Sequence, residues 1–242
     1  MKIALVSAII RDNDITKQIV QIEEYISKNR SVDLFCFGEN YLQGFNALTW
    51  EYDVDKYIAL SIDSEYIKQI RKLALKYNSG ISFGYLEKYK DNIYCSNMVI
   101  DKKGIIIDNY RRQSLGWKEI FDDNRYKEGD SFNVFELNNK KIVTAICGDL
   151  WTDNLLNEIE ALSNEVDFIL WPLYIDYNQL DWESIAKEEY KNHLSKVNSK
   201  VMMINSYSFD QSEAKGGAYI FTGNEIIEEL SLGHKGILIK DI

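Results

Sequence analysis

Apolar runs of strand length alternate with amphipathic stretches along this chain, yet in two places strand follows strand with nothing helical between, at 81–110 and 132–147. That pattern constrains the fold most. Alternating βα units build parallel sheets, whereas consecutive strands joined by short turns build antiparallel hairpins. A chain with both needs mixed sheets, and two of them packed face to face with helices outside satisfy the pattern better than one parallel sheet. The spacing predicts strands at 2–10, 33–38, 81–87, 94–101, 104–110, 132–137, 141–147, 166–172, 200–206 and 217–222, with weaker ones at Ile226–Leu230 and Gly236–Ile239. Helices are predicted at about 14–29, 63–77, 153–164 and 181–198 from helical periodicity. Ile15, Ile19, Ile22 and Ile26 recur at helical spacing in the first. Ile67, Ile70, Leu73 and Leu75 nearly do so in the second, where Asp63 or Ser64 can cap the N-terminus.

No linker, repeat or low-complexity tract interrupts residues 1–242, and Pro172 is the sole proline, so the chain reads as a single α/β domain. No run approaches the roughly 20 apolar residues of a membrane span. Met1–Val6 reads as a first strand rather than a signal peptide. Cys36, Cys95 and Cys147 are an odd number without metal-like spacing, which disfavours a disulfide framework and suits a reducing cytoplasm. A net charge of −10 argues against nucleic acid or an anionic membrane as partner.

The chemistry concentrates at strand exits. Ile142–Ile146 reads as a strand buried on both faces, followed by Cys147-Gly148-Asp149-Leu150-Trp151, with Gly148 expected to let the backbone turn. Ligands in open α/β sheets lie at the carboxyl ends of strands. Phe35-Cys36-Phe37-Gly38-Glu39-Asn40 repeats the arrangement with a carboxylate. One thiol and one carboxylate at two strand exits suit a cysteine nucleophile and its base. Tyr110-Arg111-Arg112-Gln113 puts cations at a third exit, and Gly116-Trp117-Lys118-Glu119 follows in the loop. Cys36 and Cys95 read as core or sheet thiols, and Asp149 as an acceptor bracing the turn. Arg111 reads as a surface cation paired with acid. His193 and His234 adjoin no motif, so no cysteine–histidine pair is expected.

Taken in order, these segments resemble the nitrilase, or carbon–nitrogen hydrolase, superfamily over nearly the whole chain. Gly38-Glu39-Asn40-Tyr41 with Gly44-Phe45 resembles its glutamate segment, and Tyr110-Arg111-Arg112 its lysine segment. Tyr126-Lys127-Glu128-Gly129-Asp130 resembles the aromatic–x–Pro–Gly turn, with Glu128 in place of proline. Ile146–Trp151 resembles the nucleophile turn, Ile169–Pro172 the following strand end, Val201–Ser206 a later strand, and Gly216–Ile220 the glycine-rich strand. The resemblance implies a four-layer αββα sandwich, a Glu-Lys-Cys triad, and neither metal nor organic cofactor. Cys147 would form a thioester, Glu39 would shuttle protons, and the Gly148 N–H with a cationic side chain would hold the oxyanion.

The sequence departs from the pattern at the lysine position, which Arg112 occupies. Arginine holds charge in a planar fork but cannot shuttle a proton. Lys118, six residues on in a loop that must also reach the site, is the favoured candidate for the working cation, with Arg112 in its place as the alternative. Glu119 stands at the forward spacing of a second family glutamate, whereas counting backward from Gly129 selects Asp122. Tyr41, Trp117, Trp151, Trp171 and Tyr174 are candidates for the substrate pocket. Gly148-Asp149 in place of the nitrilases' Trp-Glu favours an amide over a nitrile, and Asp149-Leu150-Trp151 resembles the glutaminase portion of glutamine-dependent NAD synthetases. The resemblance therefore implies a free-standing amidase acting on a small amide, ω-amide or carbamoyl substrate, cytoplasmic and homodimeric. A non-catalytic binding protein and a thiol acyltransferase are the alternatives.

Overall fold

The computed structural model describes residues 1–210 and 214–242. The strands are β1 (Lys2–Ser7), β2 (Leu34–Phe37), β3 (Gly80–Tyr89), β4 (Asn92–Ile100), β5 (Ile106–Arg111), β6 (Val134–Leu137), β7 (Lys140–Thr144), β8 (Phe168–Leu173), β9 (Lys200–Asn205), β10 (Ala218–Thr222), β11 (Glu225–Leu230) and β12 (Gly236–Asp241). The helices are α1 (Ile15–Lys28), α2 (Tyr52–Asp55), α3 (Glu65–Tyr77), α4 (Asp153–Leu162), α5 (Gln179–Asp181) and α6 (Lys187–His193).

Two six-stranded mixed sheets form, in the orders β12-β1-β2-β3-β4-β5 and β11-β10-β9-β8-β7-β6. Pairs separated by helices, β1–β2, β2–β3, β7–β8 and β8–β9, are parallel. The strand-after-strand segments give the antiparallel pairs β3–β4, β4–β5 and β6–β7.

Side-chain alternation assigns the layers. Ile3, Leu5, Leu34 and Cys36 meet Ile142, Phe168, Leu170, Met202 and Ile204 between the sheets. The alternate residues Ala4, Val6, Phe35 and Phe37 pack outward against Ile19, Ile22, Ile67 and Ile70 of α1 and α3. Val143, Ile169, Trp171 and Met203 likewise pack against Ile159, Trp182 and Tyr190 on the other side. Strands covered on both faces read as continuous apolar runs, and the layers are αββα as expected. Asp14 caps α1 by accepting from Lys17 N, and Ser64, rather than Asp63, caps α3 through Ile67 N.

Three expectations shift. The first strand stops at Ser7 and the nucleophile strand at Thr144, before the turn residues. The helix predicted over 181–198 is broken into α5, a π-helical turn at Trp182–Ala186, and α6. The wide turn accommodates fully buried Trp182, which packs on Tyr190 and Tyr219. In the loop at 41–56, the short α2 places buried Asp55 where it accepts from Thr49 N and Oγ1, Trp50 N and Tyr126 Oη. That carboxylate ties this loop to the segment before Gly129. Among the described residues no helix is long and apolar enough to cross a membrane.

Candidate active site

The strand ends of the two sheets meet where β2 exits. A Cβ on Gly38 would lie 2.4 Å from Ser206 Oγ, and Glu39 N donates to Leu173 O of β8 at 3.2 Å. The chain then crosses β3 at Gly84, where a Cβ would meet Asn40 N at 2.4 Å and Gly38 O at 2.6 Å. Only a residue without a side chain permits that crossing, and it carries the Glu39 carboxyl over β3 to β4 and β5.

Arg112, just past β5, closes on it. Arg112 Nη1 donates to Glu39 Oε1 at 2.7 Å, with side chains only 5% and 1% exposed respectively. Arg112 Nε donates to Ser114 Oγ at 2.7 Å. Burial pushes the Glu39 carboxyl above its usual range, against the pull of Arg112 and of hydrogen bonds from Cys95 and Cys147. The Cys147 thiol lies within interaction range of Glu39 and of the Tyr174 backbone, in the wall of the same cavity. Burial and the neighbouring carboxylate push that thiol up to about 12, with Arg112 opposing. At neutral pH the site therefore holds a thiol beside its base rather than a free thiolate.

The turn is built differently from the sequence expectation. The left-handed backbone falls on Cys147 itself (φ 43°), not on Gly148. A non-glycine residue there costs about 1 kcal/mol or more, and such strain persists only where its surroundings enforce it. Here they do. Trp171 Nε1 donates to Cys147 O at 2.9 Å, and the Asp149 carboxylate accepts from Ile146 N (2.8 Å), Gln113 N (3.0 Å), Ser114 N (2.8 Å) and Tyr110 Oη (2.6 Å). Asp149 thus clamps the nucleophile turn to the segment following Arg112. Gly148 is required for space instead: a Cβ would lie 2.5 Å from Arg112 Nη2.

Cys147, Glu39 and Arg112 lie in the wall of a cavity of about 560 Å³ with Phe45, Asn46, Leu48, Trp50, Gly116, Trp117, Lys118, Glu119 and Tyr174. Of the aromatic candidates, Trp117 and Tyr174 line it and three do not. Tyr41 is fully buried against Phe37, Trp171 lies under the turn, and Trp151 stacks on His193. Phe45, Leu48 and Trp50 also line the cavity though none was a pocket candidate, because the folded loop at 41–56 that presents them is held by Asp55. Lys118 lines the cavity, but its ammonium is engaged 2.7 Å from Glu128 Oε1 and donates to Tyr126 O at 2.8 Å. Glu128, at the family's proline position, therefore has a local partner. Glu119 is exposed and reaches the cavity, whereas exposed Asp122 is absent from its lining. Arg111 pairs with buried Glu87 through Nε (2.9 Å) and Nη2 (2.5 Å). Cys36 sits between the sheets, while Cys95, read as a core thiol, lies 3.4 Å from Glu39 Oε1. Among the described residues no group of three or more His, Cys, Asp or Glu side chains is placed to hold a metal.

A glutamine-dependent NAD(+) synthetase of Acinetobacter baylyi is 22% identical over 160 residues, covering 66% of this chain and 28% of that enzyme. The structure of the corresponding enzyme from Acinetobacter baumannii superposes with a TM-score of 0.75 at 18% identity, over 98% of this chain and 44% of that one. The chain thus spans less than half the length of these synthetases. An amidase from Nesterenkonia sp. AN1 superposes with a TM-score of 0.78 at 12% identity, over 100% of this chain and 93% of that one. That structure is a glutamate-to-glutamine mutant carrying acrylamide added to its active-site cysteine. At these identities the structural likenesses establish the fold, two mixed sheets in an α/β sandwich. The sequence model of the carbon–nitrogen hydrolase family matches residues 2–211, and the chain belongs to that family.

Proposed function

We propose that this chain hydrolyses a small non-peptide amide through a Cys147 acyl-enzyme. The observation that carries the reading is the convergence of Cys147 and Arg112 on the buried Glu39 carboxylate at the wall of one cavity. As sulfur attacks the amide carbon, Glu39 takes the thiol proton, so no standing thiolate is needed. The oxyanion is held by Gly148 N–H and the Arg112 guanidinium, whose Nη2 lies 2.5 Å from where a Cβ on Gly148 would sit. Glu39 returns the proton to the leaving nitrogen, the C–N bond breaks, and ammonia departs from a thioester. Water then adds, Glu39 taking its proton, and carboxylic acid leaves as the thiol re-forms. Arg112 stays charged throughout, supplying the electrostatic role of the family lysine while Glu39 handles every proton.

The cavity's volume suits a small molecule. Its lining mixes the apolar side chains of Phe45, Leu48, Trp50, Trp117 and Tyr174 with polar ones, among them the exposed carboxylate of Glu119, while the Lys118 ammonium is taken up by Glu128. Glu119 suits the ammonium end of an ω-amide amino acid. The proposal includes a cytoplasmic homodimer, the second of these testable by light scattering. The experiment for the reaction is ammonia release from a panel of L-glutamine, a neutral aliphatic amide and a carbamoyl amino acid, with Cys147→Ala and Glu39→Gln as controls. Release by wild type and its loss in both variants is expected. A folded wild type inert on the whole panel points to a binding protein, and product formed only with added hydroxylamine points to acyl transfer.

A further inference from the structure

Three groups meet at Glu39, and the reading above uses only two. The third is Cys95 on β4. Its Sγ lies 3.4 Å from Glu39 Oε1, the same oxygen that accepts Arg112 Nη1. Its backbone carbonyl accepts from Arg112 N at 2.8 Å. One fully buried residue thus holds the arginine through its main chain and the glutamate through its side chain, closing a ring Cys95–Glu39–Arg112. The other buried thiol provides the contrast: Cys36 has apolar company between the sheets, and burial alone pushes its thiol up.

We propose that Cys95 is a positioning residue for Glu39, donating its S–H to the carboxylate and fixing the orientation in which Glu39 meets Cys147. The proposal rests on the role given above to Glu39. A thiol is a weak donor to a neutral acceptor, but a buried carboxylate strengthens the bond. Burial and the Glu39 charge keep the Cys95 thiol protonated, so it remains a neutral donor across the working pH range. It favours the carboxylate form of Glu39 without adding a second negative charge to a buried site. Cys95 itself forms and breaks no covalent bond.

Two readouts test this. The first is the rate of Cys147 alkylation by iodoacetamide against pH, mapped by peptide mass, which reports Glu39 ionisation without needing a substrate. The second is kcat and KM for ammonia release. In Cys95→Ala, loss of a donor to the charged form should move the acidic limb of both profiles upward by about half a unit to one unit. It should lower kcat about tenfold with KM within about threefold. Cys95→Ser keeps a donor and should restore the limb. Cys36→Ala, an equally buried truncation, should lower Tm without moving it. A wild-type limb in Cys95→Ala, an equal shift in Cys36→Ala, or no rescue by folded Cys95→Ser overturns the proposal. If wild type releases no ammonia, the hydrolase reading fails, and the alkylation limb alone still decides the role of Cys95.

Discussion

Replacing Arg112 by alanine removes half of a buried ion pair whose members are 5% and 1% exposed at 2.7 Å. Leaving the Glu39 carboxylate charged without its partner would cost about 3–5 kcal/mol. Its pKa is already raised by burial, so the cheaper outcome is protonation of Glu39, which disables it as a base. A protonated Glu39 cannot take the thiol proton. In the proposed mechanism the guanidinium beside Gly148 also donates to the developing oxyanion, and losing one such donor costs about 10²–10³ in rate. Arg112→Ala should therefore lower kcat/KM at least about 10³-fold in a coupled ammonia assay, with the fold intact by circular dichroism. Arg112→Lys restores the charge but not the fork that spans Glu39 and Ser114, and should retain about one-tenth to one-hundredth of activity. Lys118→Ala should change kcat/KM by about tenfold or less, because that ammonium is engaged with Glu128 and the Tyr126 carbonyl. The reverse ranking, with Lys118→Ala inactive and Arg112→Ala nearly unimpaired, would refute the assignment of the cationic role to Arg112.

Three further outcomes are expected. Gly148→Ala drives a methyl to 2.5 Å from Arg112 Nη2 and 3.0 Å from Ser114 Oγ. It should cost about 10²-fold in kcat while thermal unfolding shifts only a few degrees. Asp149→Ala strands three backbone N–H groups and the Tyr110 hydroxyl without their acceptor. Calorimetry should show a loss of about 3–5 kcal/mol, roughly a 10 °C drop in Tm. Asp108, beside Thr144 between the sheets, is pushed to about 7 by burial. A carboxyl raised on folding binds more protons in the native state between its unfolded and folded pKa values. Its contribution is therefore full below about pH 4 and is lost as pH rises through about 7. Asp108→Asn should flatten that part of the urea-unfolding profile, by at most about 4 kcal/mol, and a slope unchanged by the substitution would contradict this.

The sequence was most readable where local pattern and burial coincide. The α1 and α3 stripes, and the strands buried on both faces, carry their periodicity in adjacent residues, and Glu39 and Cys147 announce themselves as polar groups at apolar strand exits. The broken helix at 179–193 was not readable, because the π turn answers to the packing of Trp182 against Tyr190 and Tyr219. Nor was the choice between Arg112 and Lys118, since the direction of Lys118 depends on Glu128, ten residues on and across a loop. The positive φ at Cys147 follows from Trp171 and Asp149 acting together, not from the residue type at the turn. Cys95 looked like any mid-strand thiol because its contact with Glu39 arises only when residues 38–40 cross β3 at Gly84.

In the proposed reaction an acyl group passes through Cys147. Mixing the enzyme with the amide from the panel that it turns over fastest, quenching in acid and mapping peptides by mass tests it directly. A hydroxylamine-labile acyl adduct on Cys147 is expected, formed as ammonia is released, with both signals absent from Cys147→Ala. Undiminished ammonia release by Cys147→Ala, with no adduct on the wild-type thiol, would contradict it.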